Sequence, residues 1–569
     1  MSAMVKDLPD RARIVVIGGG VGGTSVAYHL ALRGETDVLL LDRDELTSGS
    51  TFHSAGLVGQ LRSDPTLTAM NMYSVELYRA LDKTESPPGW VETGSIRLAS
   101  SHARMEEIHR QISWARTFGL PLEEISAQEA ADLFPPMVTD GVVGAAYMPT
   151  DGQVDPSMLC NSMAAAARRE GATIRTHTRV LGIDTEGSGN ERRVSAVRTD
   201  RGDIETDIVV NCGGMFAAEI ARMVGVRVPV IPMSHQYLVT EACLERRETP
   251  MPSLRDPDLL VYFRQEVDAL LMGGYERQSL PWTASPSSFD AIPADFNGRL
   301  LPDDWDRFLE ITDNSRVRVP LMGEIGIRKL INGPEAFTPD NEFCLGESEV
   351  AGFFVAAGFC AHGIAGAGGI GKVMADWIVD GDPGLDLWHM DVRRFGPAYR
   401  SPSFTLKRTV ENYETYYDIR YPGHERRAGR PLLQPPQRRL HLGALIPRAA
   451  QRFQRRAPLR RQRRGDFVVH PRSLAPVARQ SGALQHRQVP RDFILRHVER
   501  AHDLTHAQLP LQQQAHDEYA RRIGQRLLGF DDAVQRYMRH NAYIILFSEE
   551  AVKRQNIRKY LTSHHPALY

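Results

Sequence analysis

The sequence predicts an α/β protein in which a parallel sheet is interrupted by an antiparallel sheet. Near the N-terminus, within residues 13–45, an apolar segment runs into glycines and a helix-like segment, and a second apolar segment follows. Apolar segments that run into glycines return at residues 207–217 and 350–381, and residues 226–325 between them alternate apolar with polar positions. With 569 residues the chain is too long for one hydrophobic core, so two or three domains are expected.

The N-terminal segments predict a strand, helix and strand in succession. RIVVIGGG is a short buried strand, GGTSVAYHLALRG has helical spacing, and VLLLDRDE is a second strand. Gly18, Gly20 and Gly23 form a G-x-G-x-x-G pattern, and Asp42 ends the second strand. These glycines permit a tight turn, close approach of a pyrophosphate and close helix packing, while the acid accepts a hydrogen bond from a ribose hydroxyl. A Rossmann-type dinucleotide-binding domain is therefore predicted.

Two later segments complete this predicted domain. DIVVNCGGMFA contains Gly213, and the segment at residues 350–381 contains Gly358, Gly363 and Gly368, all of which are candidate cofactor contacts. Part of the second segment, AGFFVAAGFCAHGIAGAGGIG, is uncharged and long enough to span a bilayer. Its glycine density instead favours a strand from Phe353 to Ala356, a turn, and a helix from about Gly368, so no membrane span is expected.

The domain boundaries follow from these patterns. SHQYLVTE and DALLMGGYE alternate as strands of an antiparallel sheet do, which predicts a substrate-binding sheet inserted into the cofactor domain. We predict a first cofactor-binding part with insertions at residues 10–225, the substrate sheet at 226–325 and a last cofactor-binding part at 326–385. A connecting segment at 386–432, an Arg-rich region at 433–500 and a helical end without an assigned function at 501–569 follow.

Charge is unevenly distributed along the chain. The net charge is −2, but residues 433–569 carry +15 and residues 1–432 carry −17. Residues 433–500 contain 16 Arg, no Lys and 3 acidic residues. A nucleic-acid-binding arm, a disordered linker, and a frame shift or gene-fusion scar are the three interpretations of this composition. Aromatic residues are almost absent from the region, so a nucleic-acid partner is not expected.

The five cysteines are Cys160, Cys212, Cys243, Cys344 and Cys360. They are widely spaced and form no C-x-x-C pair, so neither a disulfide framework nor a zinc site is predicted, and no metal is expected. The N-terminal segment MSAMVKDLPDRAR has no apolar core of the kind that a secretory signal requires. We therefore expect a reducing, cytoplasmic location.

Five segments together resemble the dimethylglycine and sarcosine dehydrogenase family of FAD-dependent oxidoreductases, which includes the γ-N-methylaminobutyrate oxidases. They are GGGVGGTSVAYHLA, LTSGSTFHSAGLVGQ, HQYLVTE, INGPEAFTPD and the C-terminal glycine loop, and the resemblance extends over residues 10–432. DGQVDPSML resembles the family's entry to its second cofactor helix. The resemblance implies an amino-acid oxidase superfold and oxidation of an N-methylated amino acid, with formaldehyde released after hydride transfer to flavin N5.

Several residue roles follow from this resemblance. The family binds FAD covalently through the histidine of G-S-T-W-H-A-A-G-L, which corresponds to His53, although Phe52 and Ser54 replace the usual Trp and Ala. His235 and Tyr262 correspond to the family's active-site His and Tyr. A guanidinium group can bind a substrate carboxylate through two hydrogen bonds, and Arg264 and Arg328 are the candidates, although no local pattern separates them from other arginines.

Alternatives to this function remain at the level of sequence. One is a general amino-acid oxidase of the same superfold, and another is a catalytically impaired remnant that binds FAD. The electron acceptor is oxygen or an electron-transfer protein, and the sequence does not distinguish the two. The folate-binding half that follows YPGHERRAGRPL in the family is replaced here by the Arg-rich region.

Overall fold

The computed structural model describes residues 8–283, 292–293 and 295–421. These residues belong to the first of two units, residues 1–430 and 431–569. The predictions for the Arg-rich region and the helical end, and for the last residues of the connecting segment, lie outside the described residues.

The described residues form nine α-helices, numbered α1 to α9 in chain order. They are Val21–Leu32, Pro65–Leu81, His102–Thr117, Ala127–Leu133, Pro156–Arg169, Ala217–Met223, Trp305–Arg318, Gly363–Asp380 and Pro402–Glu414. The strands of the same residues are numbered β1 to β20. They are Ile14–Ile17, Val38–Leu41, Leu57–Val58, Ser95–Ala99, Glu123–Ile125, Gly144–Met148, Gly152–Gln153, Thr173–Arg175, Val180–Glu186, Arg193–Thr199, Gly202–Glu205, Ile208–Asn211, Ile231–Thr240, Ser253–Asp256, Val261–Glu266, Ala269–Gly274, Leu280–Pro281, Ile327–Phe337, Cys344–Glu347 and Phe353–Ala357.

The predicted parallel sheet is present and has six strands in the order β19-β20-β12-β1-β2-β8. All neighbours are parallel except β19, which is antiparallel to β20. Alternate residues of β1 face opposite sides of the sheet: Ile14 and Val16 pack toward α1 and α8, while Val15 and Ile17 pack toward β9–β11 and α6. Because both faces are covered, the strands are continuously apolar, as the sequence indicates.

Helix α8 accounts for the glycine-rich segment. It begins at Gly363, five residues before the predicted start. A Cβ atom on Gly369 would lie 2.5 Å from the Met70 Cα atom of α2, and one on Gly371 would lie 2.2 Å from the Ser25 Oγ atom of α1. These glycines therefore allow α8 to pack closely against two neighbouring helices. None of the helices in the described part of the chain has the length and apolar character needed to cross a bilayer.

The antiparallel sheet is larger than the predicted substrate segment. It has nine strands in the order β17-β13-β16-β15-β14-β4-β6-β5, and β18 pairs with β13. Its neighbouring strands are antiparallel except β14 and β4, which are parallel. Strands β4, β5 and β6 come from residues assigned by sequence to the first cofactor-binding part, and β18 comes from the last part. Strands of three to five residues carry too little alternation to indicate which sheet they join. The long pairing of β13 with β18 places His235 opposite Gly333.

Candidate cofactor and substrate site

One cavity connects the glycine turn after β1 with the antiparallel sheet. Its empty space, including the part that is open to solvent, is about 1890 Å³. Its walls come from the β1–α1 turn, the 3-10 turn Thr51–His53, strands β13 and β15, the turn before α8, and the residues after α9. Because the same cavity is lined by the glycine turn and by strands of the second sheet, a cofactor at the turn and a substrate at the sheet would be next to each other.

The glycine turn has the geometry that the sequence predicts. Gly18 has φ +114°, and a Cβ atom there would lie 2.4 Å from the carbonyl oxygen of Cys212. A Cβ atom on Gly23 would lie 1.9 Å from the carbonyl oxygen of Gly18. Gly20 is the N-cap of α1 and lines the cavity, so the N-terminus of this helix is available for a phosphate.

Asp42 lies at the cavity wall directly after β2. Its Oδ2 atom accepts a hydrogen bond of 2.5 Å from the amide of Gly19, and its Oδ1 atom accepts one of 2.8 Å from the amide of Asp44. Burial raises the pKa of this carboxyl group, and the two amide hydrogen bonds oppose the rise. The carboxylate thus holds the glycine turn in place while it borders the cavity.

The residues around His53 form a junction between three elements. Thr51 Oγ1 accepts a hydrogen bond from the Val21 amide at the start of α1, over 3.1 Å. Ser50 Oγ donates one of 2.6 Å to the Pro334 carbonyl oxygen of β18. A Cβ atom on Gly333 would lie 2.4 Å from the His53 ring, so this glycine makes room for the imidazole. The motif STFHS is therefore anchored to both the dinucleotide turn and the NGPE motif of β18.

The His53 imidazole is buried, lines the cavity, and is uncharged at neutral pH. Burial lowers its pKa to about 4. Its Nε2 atom is buried without a hydrogen-bond partner among the described residues, which is costly for a polar atom. Phe52, which departs from the family pattern, packs edge-on against the ring at a centroid distance of 5.0 Å. The ring is therefore a neutral imidazole with an unpartnered Nε2 atom.

The other predicted cofactor glycines separate into two groups. Gly213 and Gly363 line the cavity, at the turn after β12 and at the start of α8. Gly358 and Gly368 do not line it. A Cβ atom on Gly358 would lie 2.7 Å from Thr338 Cγ2, and one on Gly368 would lie 2.8 Å from the Ser74 Cα atom of α2. The structure therefore places these two glycines in close internal packing.

The structure brings both predicted catalytic residues to the cavity. His235 lies on β13, and its Nδ1 atom is 2.6 Å from the Tyr413 hydroxyl oxygen. Burial, followed by the nearby His53 and Arg307, lowers the pKa of His235 to about 3. Tyr262 lies on β15, where Gly273 of β16 leaves room for its hydroxyl group. Burial raises the pKa of Tyr262 well above its ordinary value, so the phenol keeps its proton.

Neither predicted arginine lies at the cavity. Arg264 forms an ion pair with Glu266 and contacts the turn at Gly56, while Arg328 is exposed near the start of β18. Four other arginines line the cavity, namely Arg43, Arg62, Arg179 and Arg255. Arg62 and Arg255 form no ion pair within the described part of the chain. Both are close enough to His362 to lower its pKa after the larger effect of burial.

Sequence reasoning missed Arg62, Arg255 and His362 for a physical reason. Arg62 follows the His53 motif by only nine residues, but Arg255 comes from β14 and His362 from the turn before α8. The Tyr416 hydroxyl group, which lies after α9, hydrogen-bonds with His362 Nε2. No local pattern links these residues. The position of Arg62 close to the His53 motif is the sequence feature that could have indicated its place at the cavity. Among the described residues, no group of three His, Cys, Asp or Glu side chains is arranged to hold a metal ion.

Comparison with known proteins agrees with the geometry of the cavity. Residues 13–377 match the family described as FAD dependent oxidoreductase, and residues 380–434 match the FAD dependent oxidoreductase central domain. The crystal structure of L-proline dehydrogenase from P.horikoshii has a TM-score of 0.61 and 28% identity, covering 68% of this chain and 98% of that one. The predicted fold class is thereby confirmed.

Three curated relatives confirm the resemblance noted in the sequence. Mitochondrial sarcosine dehydrogenase of Mus musculus is 38% identical over 435 residues, covering 75% of this chain and 46% of that protein. Mitochondrial dimethylglycine dehydrogenase of Homo sapiens is 35% identical over 426 residues, with coverages of 74% and 48%. The 4-methylaminobutanoate oxidase (formaldehyde-forming) of Paenarthrobacter nicotinovorans is 33% identical over 431 residues, with coverages of 75% and 51%.

The chain spans about half the length of these curated relatives. The match to the family model nevertheless includes the glycine turn, Asp42, His53, both sheets and α8 up to residue 377. The chain belongs to the FAD-dependent oxidoreductase family, and sarcosine and dimethylglycine dehydrogenases are among the members it resembles.

Proposed function

We propose that the protein uses FAD to demethylate an N-methylated amino acid of the dimethylglycine, sarcosine or 4-methylaminobutanoate type, releasing formaldehyde. The observation that carries the proposal is one cavity that joins the dinucleotide turn to a pocket containing His235 and two guanidinium groups without ion-pair partners among the described residues. When bound, FAD would accept a hydride from the substrate's methyl carbon.

The cofactor would be held by the glycine turn, Asp42 and His53. Gly20 at the N-terminus of α1 and Asp42 both line the cavity, which supports binding of the pyrophosphate by the helix N-terminus and of a ribose hydroxyl by the carboxylate. We propose His53 as the residue bonded covalently to the flavin, through its unpartnered Nε2 atom. The low pKa of His53 keeps the imidazole uncharged at neutral pH, so one of its two ring nitrogens has a free lone pair.

Acid precipitation tests the covalent bond independently of catalysis. We expect yellow flavin to remain in the pellet of the wild-type protein and to move to the supernatant for His53→Ala. His235→Ala is the matched control, because it removes another buried imidazole from the same cavity and should leave the pellet yellow. Flavin in the wild-type supernatant would contradict the covalent bond while leaving FAD binding intact.

The carboxylate of the substrate would pair with Arg62 and Arg255. An arginine stays protonated in a protein, so a buried guanidinium without an ion pair carries an uncompensated desolvation cost. Both residues are half-buried. Burial lowers the pKa of Arg62, whereas for Arg255 the effect of burial is outweighed by nearby tyrosines and Asp151, which raise its pKa. A substrate carboxylate would offset the cost through charge-assisted hydrogen bonds. These two arginines replace Arg264 and Arg328 as our candidates for the carboxylate site.

The amine end of the substrate would face His235 and Tyr262. A protonated amine has no lone pair with which to stabilise positive charge at the neighbouring carbon, so its proton must be removed before oxidation. His235 is neutral and within the cavity wall, and is therefore our candidate for the base. Tyr262 keeps its proton and would orient the amine or a water molecule by hydrogen bonding.

Product analysis separates this function from its alternatives. We expect formaldehyde from sarcosine, dimethylglycine or 4-methylaminobutanoate, measured with oxygen and then with an artificial electron acceptor. Ammonia from unmethylated amino acids, or oxidation of proline without formaldehyde, would instead support a general amino-acid oxidase. Bound flavin that none of these amines reduces would support the impaired remnant.

We further propose a reducing, cytoplasmic location, since all five cysteines are free thiols.

A further inference from the structure

A buried row of hydrogen-bonded side chains extends behind His235, away from the cavity. His235 Nδ1 lies 2.6 Å from the Tyr413 hydroxyl oxygen, and that hydroxyl group donates to Glu276 Oε2. Tyr413 and Glu276 are 0% and 1% exposed, and neither lines the cavity. Since His235 does line it, the imidazole has its Nδ1 edge on this row and its other edge toward the substrate pocket.

The partners of Glu276 determine the direction of these hydrogen bonds. The Gln236 side-chain oxygen accepts from the Asp304 amide over 3.1 Å, which orients the Gln236 Nε2 atom to donate to Glu276 Oε1 over 3.1 Å. Arg307 Nη2 lies 3.7 Å from the same oxygen. Glu276 therefore accepts on both oxygens. Burial raises its pKa, while Arg307, Tyr413 and Gln236 oppose that rise.

The proton positions follow from this set of donors. Tyr413 has one hydroxyl proton, and burial next to Glu276 raises its pKa well above the ordinary value, so the proton is kept. Because that proton is donated to Glu276, the Tyr413 oxygen is left to accept from His235. A neutral imidazole carries a single N–H group, so the proton is on Nδ1 and Nε2 has a lone pair.

We propose that Glu276 and Tyr413 are positioning residues that hold His235 in the Nδ1–H form, leaving Nε2 to take the proton of the substrate ammonium. The inference rests on the proposed function and adds how His235 is held in the form that can act as a base. In this step the N–H bond of the ammonium breaks, an Nε2–H bond forms, and the positive charge passes from substrate to imidazole. Burial, His53 and Arg307 hold the pKa of His235 near 3, so this transfer depends on Tyr413 and Glu276, which stabilise the imidazolium through its Nδ1–H group.

Groups from four elements face the proposed base. His53 approaches from the 3-10 turn, Arg307 from α7, Tyr275 from the end of β16, and Tyr413 from α9. The positive charge of Arg307 disfavours the imidazolium, and the acceptor row from Tyr413 to Glu276 favours it. Tyr413 belongs to the connecting segment predicted at residues 386–432, which gives that segment a role at the site.

The pH dependence of flavin reduction by an N-methyl amino acid tests the proposal. Tyr413→Phe and Glu276→Gln should each slow reduction about tenfold or more at neutral pH, since an oriented base is worth roughly 10² to 10⁴ in rate. Both variants should approach the wild-type rate at alkaline pH, where solvent removes the ammonium proton. The double variant should be no slower than the slower single variant, because both residues act through His235.

Tyr73→Phe is the matched control. Its hydroxyl oxygen lies 3.0 Å from Nε2 of another buried histidine, His29, and neither residue lines the cavity. This variant should keep the wild-type rate and pH profile. Equal slowing of Tyr413→Phe at every pH would indicate a structural defect and would overturn the positioning role.

Nitrogen-15 NMR of histidine-labelled protein provides a measurement that needs no turnover. The His235 signals, assigned by their loss in His235→Gln, should show Nδ1–H in the wild type and a mixture with Nε2–H in Tyr413→Phe. An Nε2–H form in the wild type would overturn the inference even in an active enzyme. If no N-methyl amino acid reduces the wild-type flavin, the proposed function fails, while the NMR result still decides the tautomer.

Discussion

Acidic and basic side chains that line the same cavity are held uncharged. Burial lowers the pKa of His53 to about 4 and that of His235 to about 3, and it raises the pKa of Glu335 to about 8. Near neutral pH these three side chains therefore contribute no charge. The fixed positive charge of the substrate pocket comes from Arg62 and Arg255, which favours an anionic group on the substrate.

Arg255→Gln tests this distribution of charge at the level of one residue. We expect kcat/KM for a carboxylate-bearing N-methyl amine to fall about tenfold to a hundredfold, mainly through KM, because a charge-assisted hydrogen bond is worth roughly 1.5 to 3 kcal/mol. Arg328→Gln removes an exposed guanidinium outside the cavity and should leave the kinetics unchanged. An effect of the same size in both variants would rule out the proposed carboxylate site.

Glu335 gives a stability prediction with a defined sign. Its pKa is about 8 in the folded protein against a reference value of 4.5, so the folded state keeps a proton that the unfolded state loses between these values. The free energy of unfolding therefore falls as pH rises through this window. Glu335→Gln should raise Tm at pH 8.5 and leave it nearly unchanged at pH 4.5. Exposed Glu349→Gln is the control, and a Glu335→Gln effect independent of pH would contradict the assignment.

At the scale of elements, α8 combines two tasks. Its first residue, Gly363, lines the cavity, while Gly369 and Gly371 bring its next two turns against α2 and α1. Glycine in a helix interior costs about 1 kcal/mol relative to alanine. These glycines are needed, despite their low helix propensity, because α1, α2 and α8 approach one another closely. The same packing buries this apolar segment inside the domain.

The variant Gly369→Ala tests whether helix propensity or close packing has the larger effect on stability at this position. Helix propensity alone would stabilise the variant by about 1 kcal/mol, but the new Cβ atom would lie within 2.6 Å of three Met70 atoms. Because overpacking costs typically about 1 to 3 kcal/mol, we expect a net fall in Tm. Gly323→Ala, where the nearest atom is 3.8 Å away on flexible Arg316, should not lower Tm. A Tm increase for Gly369→Ala would contradict the close packing of α8.

At the scale of the molecule, the cavity is assembled from distant parts of the chain. Its lining residues lie between Ile17 and Tyr417, so each of them precedes the Arg-rich region. We expect a chain ending at residue 432 to retain the flavin-to-protein absorbance ratio of the full chain, and its rate of amine oxidation. Loss of flavin from the shortened chain would show that residues 433–569 support the site.

The sequence alone was sufficient to predict those parts of the site whose residues lie close together in the chain. The glycine turn, Asp42 and the His53 motif lie within about one supersecondary unit, where strand, turn and helix chemistry specify the geometry directly. His235 and Tyr262 were found through the motifs and their family resemblance. The sequence did not distinguish Arg62 and Arg255 from other arginines, because no short sequence pattern indicates whether a guanidinium group will form an ion pair in the folded protein.

Only the tertiary structure decided how the remaining groups meet. The pairing of β13 with β18 sets His235 opposite Gly333, and the packing of α9 brings Tyr413 to His235 across 178 positions of sequence. Strand register and helix docking are set by burial summed over many residues, and neither is encoded in a short pattern. The sequence by itself therefore specified the cofactor turn and the class of chemistry, whereas the charge and proton positions of the substrate pocket arise from long-range packing.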